Sequence, residues 1–285
     1  THQRVFLATY TPSFTPFSCH IFDCYPGADM YAGDVATFVG DNFYAAMSVK
    51  ADTITTESFG GASPPLFPYN TMFSSTLEGY NIFLTGFDAI ADQLDSAIIF
   101  GGNGDDYVSD LATGYLGWHP VSPDLYMTGS FRHEIIFTPA VGSPDTFVAA
   151  GKDDIFAVRF NAYDFRDQDG VVAGGKYRDQ ALAISDDGSI VGGFISDTCH
   201  FPGLGTIDAY DTCIWGGYDN DSLMQQGFIA RPDYDNQTWT WEYTLPDSTG
   251  FGGDTVYDSQ VNTISTGNCN DFYIGWNRGM HSEPL

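Results

Sequence analysis

Residues 162–175 read Ala162-Tyr-Asp-Phe-Arg-Asp-Gln-Asp-Gly-Val-Val-Ala-Gly-Gly175, and residues 181–193 read Ala181-Leu-Ala-Ile-Ser-Asp-Asp-Gly-Ser-Ile-Val-Gly-Gly193. Each is a short apolar run, an acidic turn carrying a glycine, a second apolar run and a Gly-Gly stop. Asp and Gly are the residues that close a tight turn, and β-branched runs on either side make that grammar a β-hairpin. Looser copies occur at 34–47, at Phe147 to Val158, and at Val261-Asn-Thr-Ile-Ser leading to Tyr273-Ile-Gly-Trp276. The last ending echoes Tyr115-Leu-Gly-Trp118.

Working outward, the same punctuation fills the chain. It has 285 residues with 32 Gly and 14 Pro but only three Lys and five Glu, while 16% is aromatic. Strong helix formers are scarce and strand formers abundant, which predicts an all-β protein. Strands are expected at Val5–Tyr10, 81–85, 97–100, 132–138, 146–150, 154–160 and Gly227–Arg231. The stretch 237–245 alternates, with Trp239, Trp241, Tyr243 and Leu245 on one side, and reads as a half-buried strand. Only 88–95, Asp-Ala-Ile-Ala-Asp-Gln-Leu-Asp, reads as a helical turn. Recurrent hairpins favour repeat-built antiparallel sheets, propeller-like first and a β-sandwich as the alternative. The chain is expected to be one domain over 1–285, with a weak boundary in the breaker segment near 60–69, Gly-Gly-Ala-Ser-Pro-Pro-Leu-Phe-Pro-Tyr.

Charge narrows the partners. Of 37 carboxylates 32 are Asp, and the formal net charge is −27. Such a surface repels nucleic acid and anionic lipid, whose binding depends on Lys and Arg. No apolar run approaches the ~20 residues of a membrane-spanning helix. The charge suits a saline or calcium-bearing medium, and a start at Thr1 rather than Met fits a secreted chain whose signal has been removed. An extracellular or cell-surface location is therefore expected. Asn220-Asp-Ser and Asn236-Gln-Thr match the glycosylation acceptor pattern.

Ala181 to Gly193 resembles the repeat of the HAF family of bacterial extracellular proteins, which alternates a phrase of the form A-x-x-I-N-x-x-G-x-V-V-G with a short aromatic strand. Gln226-Gly-Phe-Ile-Ala resembles the second phrase, and Ala162 to Gly175 the first. The resemblance implies a secreted, repeat-built β fold, and it brings no shared catalytic residues.

Two stretches carry the spacing of calcium chemistry. Gly101-Gly-Asn-Gly-Asp-Asp-Tyr-Val-Ser fits the calcium nonapeptide of β-rolls, with Asp105 and Asp106 as the carboxylates. Asp164-Phe-Arg-Asp167-Gln-Asp169-Gly sets alternating carboxylates on a tight loop, as calcium loops do. Asp186-Asp187-Gly188 occupies the matching turn of the second hairpin. Both also read as solvated turn tips. His133-Glu134 lacks the second His of a zinc-protease helix, and no phosphate loop, dinucleotide fingerprint or nucleophile elbow occurs.

Five cysteines stand at 19, 24, 199, 213 and 269, without zinc spacing. In an oxidising compartment Cys19–Cys24 and Cys199–Cys213 would close local disulfide loops, leaving Cys269 free or joined to another chain. Five Trp and 17 Tyr serve either as core or as a platform for glycans, with Trp118 and Trp276 the first candidates. The leading expectation is a non-catalytic structural subunit that self-associates into a surface layer, filament or matrix and is stabilised by calcium. The alternative is a carbohydrate-active enzyme or sugar-binding protein using an Asp pair.

Overall fold

The computed structural model describes residues 4–10, 13–14, 16–24, 29–37, 42–50, 53–60, 71–74, 78–88, 93–114, 124–139, 142–196, 198–208, 225–245, 257–266 and 272–280. All regular structure among them is β, and all named strand pairs are antiparallel.

Hairpins are the building unit, and they are dealt out to sheets in turn. Sheet I contains β1 (Arg4–Tyr10), β2 (Pro16–Cys24), β5 (Thr53–Gly60) and β6 (Thr71–Ser74). Sheet II takes the hairpins between and after them, β3 (Asp29–Thr37) with β4 (Asn42–Lys50) and β7 (Asn81–Asp88) with β8 (Gln93–Phe100). Sheet III runs β9 (Asp106–Gly114), β10 (Asp124–Phe131), β13 (Asp154–Asn161), β14 (Asp169–Gly175), β17 (Thr198–Phe201) and β18 (Gly205–Asp208). A small ribbon of β11 (Glu134–Phe137) and β12 (Asp145–Val148) branches from it. Sheet IV interleaves with sheet III, holding β15 (Gln180–Ile184), β16 (Val191–Ser196), β19 (Gln225–Asp233) and β20 (Thr238–Thr244). Sheet V is the single hairpin of β21 (Tyr257–Thr266) and β22 (Phe272–Met280).

The five sheets pack face to face in chain order, through the edge strands β1, β3, β9, β15 and β21. Four apolar layers lie between them. Phe22, Met47 and Phe83 fill the first, Leu84, Met127 and Phe156 the second, Val171, Phe228 and Trp239 the third, and Ile229, Leu245 and Val261 the fourth. The central strands of an inner sheet therefore have no wet face. Residues 43–49 of β4, 81–87 of β7, 125–131 of β10 and all of β16 are buried. Those strands read as continuous apolar or small-residue runs because both faces meet a neighbour.

The expected hairpins at 34–47, 181–193 and 261–276 form as β3–β4, β15–β16 and β21–β22. The phrase at 162–175 is shifted: 162–168 is the connection, and the strands are β13 and β14. Residues 147–158 are not a hairpin, since β12 pairs with β11 and β13 pairs with β10 and β14. The helical turn expected at 88–95 is strand wherever described, for Asp88 closes β7 and Gln93 opens β8. Leu94 pairs with Phe87 over the first apolar layer, and that burial outweighs local helix propensity.

The alternation at 237–245 breaks in the middle. A bulge at Thr240 sets Trp239 opposite Pro232 and Trp241 opposite Arg231, so the two indoles leave on opposite faces. Trp239 enters the third layer, while Trp241 and Tyr243 turn toward sheet V and stay largely open. The Gly174-Gly175 pair ends β14 as expected, but the Gly192-Gly193 pair does not stop its strand. A Cβ on Gly193 would lie 1.9 Å from the Gln180 carbonyl, and one on Gly192 2.7 Å from Val261, yet β16 runs on to Ser196. The pair marks close approach of backbones and sheets. The expected boundary at 60–69 falls, beyond Gly60, outside the described residues.

Candidate functional site

The expected calcium loop at Asp164, Asp167 and Asp169 is a connection that plugs the core. Asp164 accepts the Arg166 N–H at 3.2 Å in a local turn. Phe165 takes a left-handed backbone (φ 56°) and drives its ring into the second layer, edge-on to Tyr44. Asp167 is left-handed too (φ 60°). Asp169 is drawn away: Arg159 holds it at 2.6 Å and holds Asp235 of the β19–β20 turn at 2.7 Å, with its guanidinium over the Tyr234 ring. Asp164, Asp167 and Asp169 thus share a loop without converging.

The nonapeptide is a crossing point. Its backbone bonds the connection before β7 and the strand β11: Gly104 N–H to the Glu78 carbonyl, Asp106 N–H to the Tyr80 carbonyl, and the Ile136 N–H to the Gly101 carbonyl. Gly104 sits at φ 130° with the Arg132 carbonyl 2.0 Å from where a Cβ would be, so only glycine fits. Asp105 accepts the Tyr80 N–H at 3.2 Å and meets Arg132 at 3.4 Å. Asp106 is fully buried and accepts the Gly102 N–H at 2.9 Å. Asp187 is satisfied locally by Ser185 and Ser189, which hold its carboxyl below the usual carboxylate range, while Asp186 reaches Ser265 of sheet V at 2.9 Å.

The geometry reveals a repetition that hairpin grammar had not picked out. Asp106 accepts the N–H of Gly102, Asp154 that of Ala150, and Asp179 that of Gly175, each four residues back. The phrases are Gly101-Gly-Asn-Gly-Asp-Asp106, Ala149-Ala-Gly-Lys-Asp-Asp154 and Gly174-Gly-Lys-Tyr-Arg-Asp179. Two small residues followed four positions later by Asp is the signal, and it is masked in the letters because two copies begin at the expected ends of other motifs. Each carboxyl opens or immediately precedes a strand and leaves one oxygen without a hydrogen-bond partner. Burial, the largest cause in each case, pushes Asp106 up to about 8, Asp179 to about 7 and Asp154 to about 6. The residues just before them are tied together: Arg132 bridges Asp105 and Asp153, and Arg178 pairs with Asp153 at 3.0 Å.

A second acid pair bolts three sheets. Asp110 on β9 accepts the Ile184 N–H of sheet IV at 2.7 Å. It shares the Leu111 N–H with Asp34 of sheet II, at 3.0 and 3.2 Å. Burial, and then Asp34, push Asp110 up to about 7. These acids fasten sheets to one another. Among the described residues no group of three or more His, Cys, Asp or Glu side chains is placed to hold a metal ion.

The expected Cys19–Cys24 disulfide is corrected. Both are free thiols on the one strand β2, where five residues of extended chain separate them by ~16 Å, far beyond disulfide reach. Cys199 is a free, buried thiol, pushed up by burial beside Asp179 and Asp154. Its expected partner Cys213 lies outside the described residues, as do Cys269, Trp118 and Asn220. Asn236 lies exposed in the β19–β20 turn. Trp276 is on β22 and half open.

The ends of the stack differ from its interior. On sheet I, Val5 and Leu7 pack inward while Phe6 (70% exposed) and Tyr10 point out, with Ile21 opposite Phe6. On sheet V, Ile264 and Ile274 pack inward while Tyr273 (68% exposed) points out. No helix among the described residues is long and apolar enough to cross a membrane. No known family model matches the chain, and no curated protein matches it.

Proposed function

We propose that this protein is a secreted, non-catalytic subunit of an extracellular assembly such as a surface layer, filament or matrix. The observation that carries the reading is the pair of bare end faces. The central strands of the inner sheets are covered on both sides, whereas sheet I presents Phe6 and Tyr10, and sheet V presents Tyr273, to the outside. Two different faces, each shaped to lie on a sheet, make a head-to-tail contact, and such contacts build open fibres or closed rings.

The fan of sheets joined through successive edge strands supports a propeller-like arrangement with a HAF-like hairpin repeat. The buried and turn-bound acids act as fasteners rather than as a reaction centre, which favours assembly over glycan hydrolysis. Calcium or salt enters through charge: copies of a chain with formal charge −27 repel until screened, over a Debye length of ~8 Å at physiological ionic strength.

The test is electron microscopy with light scattering of the purified protein, in calcium and in chelator. Calcium is expected to produce end-to-end polymers, which Phe6→Ser with Tyr10→Ser abolishes. Uniform single particles in calcium and at high salt alike would sink the proposal.

A further inference from the structure

We propose that β22 is a dimerisation edge, pairing antiparallel with β22 of a second copy to complete sheet V as a four-stranded sheet. Sheets I, II and IV each have four strands and sheet III has six, but sheet V has two, and β22 has no strand beyond it among the described residues. Its nine residues, Phe272-Tyr-Ile-Gly-Trp-Asn-Arg-Gly-Met, form a long open edge. Long unpaired edges are normally blunted by charge, bulges or proline. Here the bulge of the hairpin falls on β21 at Asn262, and β22 itself is regular.

The composition of β22 fits a covered strand. It has no carboxylate in a chain with 37, and its one charge is Arg278. Carboxylate-free β4 and β16 are strands buried through nearly their whole length. An approaching second copy, acidic elsewhere, meets no like charge at this edge.

Beside the edge lies apolar surface that half a sheet fails to cover. Trp241 and Tyr243 on β20, and Phe272 and Trp276 on β22, all face the space between sheets IV and V. Trp241 is packed edge-on to Phe272 at 6.2 Å. Trp241 remains 40% and Trp276 47% exposed. A two-fold axis through the middle of β22 sets Trp276 opposite its own copy and produces the order β21-β22-β22-β21, four strands as in sheets I, II and IV. Such self-complementary pairing is the commonest oligomeric symmetry. The dimer uses an edge rather than the end faces, so it stands apart from the head-to-tail reading.

The test is mass in solution by analytical ultracentrifugation across salt concentration, on the full chain. The wild type is expected to dimerise more strongly as salt rises. Trp276→Lys, which sets a charge at the centre of the edge, is expected to weaken dimerisation at least ~10-fold with an unchanged melting temperature. Trp276→Cys is expected to give a disulfide-linked dimer through residue 276 under mild oxidation, identified by peptide mapping, whereas Val148→Cys on the exposed ribbon does not. A wild type that stays monomeric at high salt overturns the proposal. So does a dimer that survives Trp276→Lys but is lost in Phe6→Ser with Tyr10→Ser, which leaves the head-to-tail reading standing. A monomer whose tryptophan fluorescence titrates with cellohexaose, and loses that response in Trp276→Lys, also overturns it in favour of a glycan site.

Discussion

Arg132 grips Asp153 with two nitrogens, Nε at 2.9 Å and Nη2 at 2.7 Å, while Nη1 reaches Asp105 at 3.4 Å. One guanidinium therefore joins the connections that open β9 and β13, and Arg178 adds the connection that opens β15. Asp153 is only 5% exposed at its side chain, so it needs these partners. Arg132→Ala is expected to cost about 1–3 kcal/mol in denaturant unfolding, softened because Arg178 stays. Arg132→Lys restores less than half, lacking the fork that takes two bonds at once. Equal stability of the alanine variant and the wild type would show that Arg178 suffices alone.

Stability is expected to fall as pH rises. Asp106, Asp179, Asp110 and Asp154 all sit above the ordinary carboxylate range, at about 8, 7, 7 and 6, chiefly through burial. The folded chain keeps protons that the unfolded chain releases. Their contribution is therefore full below the ordinary carboxylate value of ~4 and is lost as pH climbs through about 6 to about 8. Melting temperature against pH at fixed high salt is the measurement. High salt suppresses the general self-repulsion that acts in the same direction. Asp106→Asn keeps the acceptor for Gly102 and removes the ionisation, so it should flatten the upper part of the curve. A melting temperature that rises toward alkaline pH would contradict the assignment.

Much of this architecture could be read in the chain, and the failures have local causes. Hairpins β15–β16 and β21–β22 were legible because an acidic Gly turn sits between apolar runs. The dealing of hairpins into alternate sheets was not legible, since nothing near β2 specifies that β5 rather than β3 will pair with it. Trp239 and Trp241 look equivalent two residues apart, and a bulge at Thr240 separates their fates. At Asp164, Asp167 and Asp169 the spacing of carboxylates was real, but Arg159 is ten residues from Asp169 and 76 from Asp235, and such a long-range partner leaves no local trace. The small-small-x-x-x-Asp phrase was visible in the letters, and only its three matching hydrogen bonds give it meaning.

Phe165 ties the acidic turn to the core. Its ring is 1% exposed among Tyr44, Phe160 and their neighbours, held there by a strained left-handed backbone. Phe165→Ala is expected to cost about 3–5 kcal/mol through lost burial and a cavity. Asp164→Ala in the same turn, which loses an exposed hydrogen bond from the Arg166 N–H and an exposed ion pair with its guanidinium, should cost less than about 1 kcal/mol. If calcium binding organised this loop, calcium would rescue Phe165→Ala more than it stabilises the wild type. Equal shifts in both proteins would assign the turn to packing.

The two indoles of β20 offer a direct test of the bulge. Trp239 is buried, donates its Nε1–H to the Val172 carbonyl at 2.9 Å and meets Phe201 edge-on at 5.4 Å. That bond crosses from sheet IV to sheet III, so Trp239→Ala should lose both a filled volume and a satisfied acceptor, about 3–5 kcal/mol. Trp241 faces the open mouth beside β22, and Trp241→Ala should cost less than about 1 kcal/mol in the monomer. Acrylamide quenching of single-tryptophan variants reads the same geometry: residue 241 should be quenched freely and residue 239 hardly at all. Similar quenching of both would mean that β20 runs without the bulge, with its aromatic residues on one face. The surface beside β22 would then lack the Trp241–Phe272 contact that marks its edge.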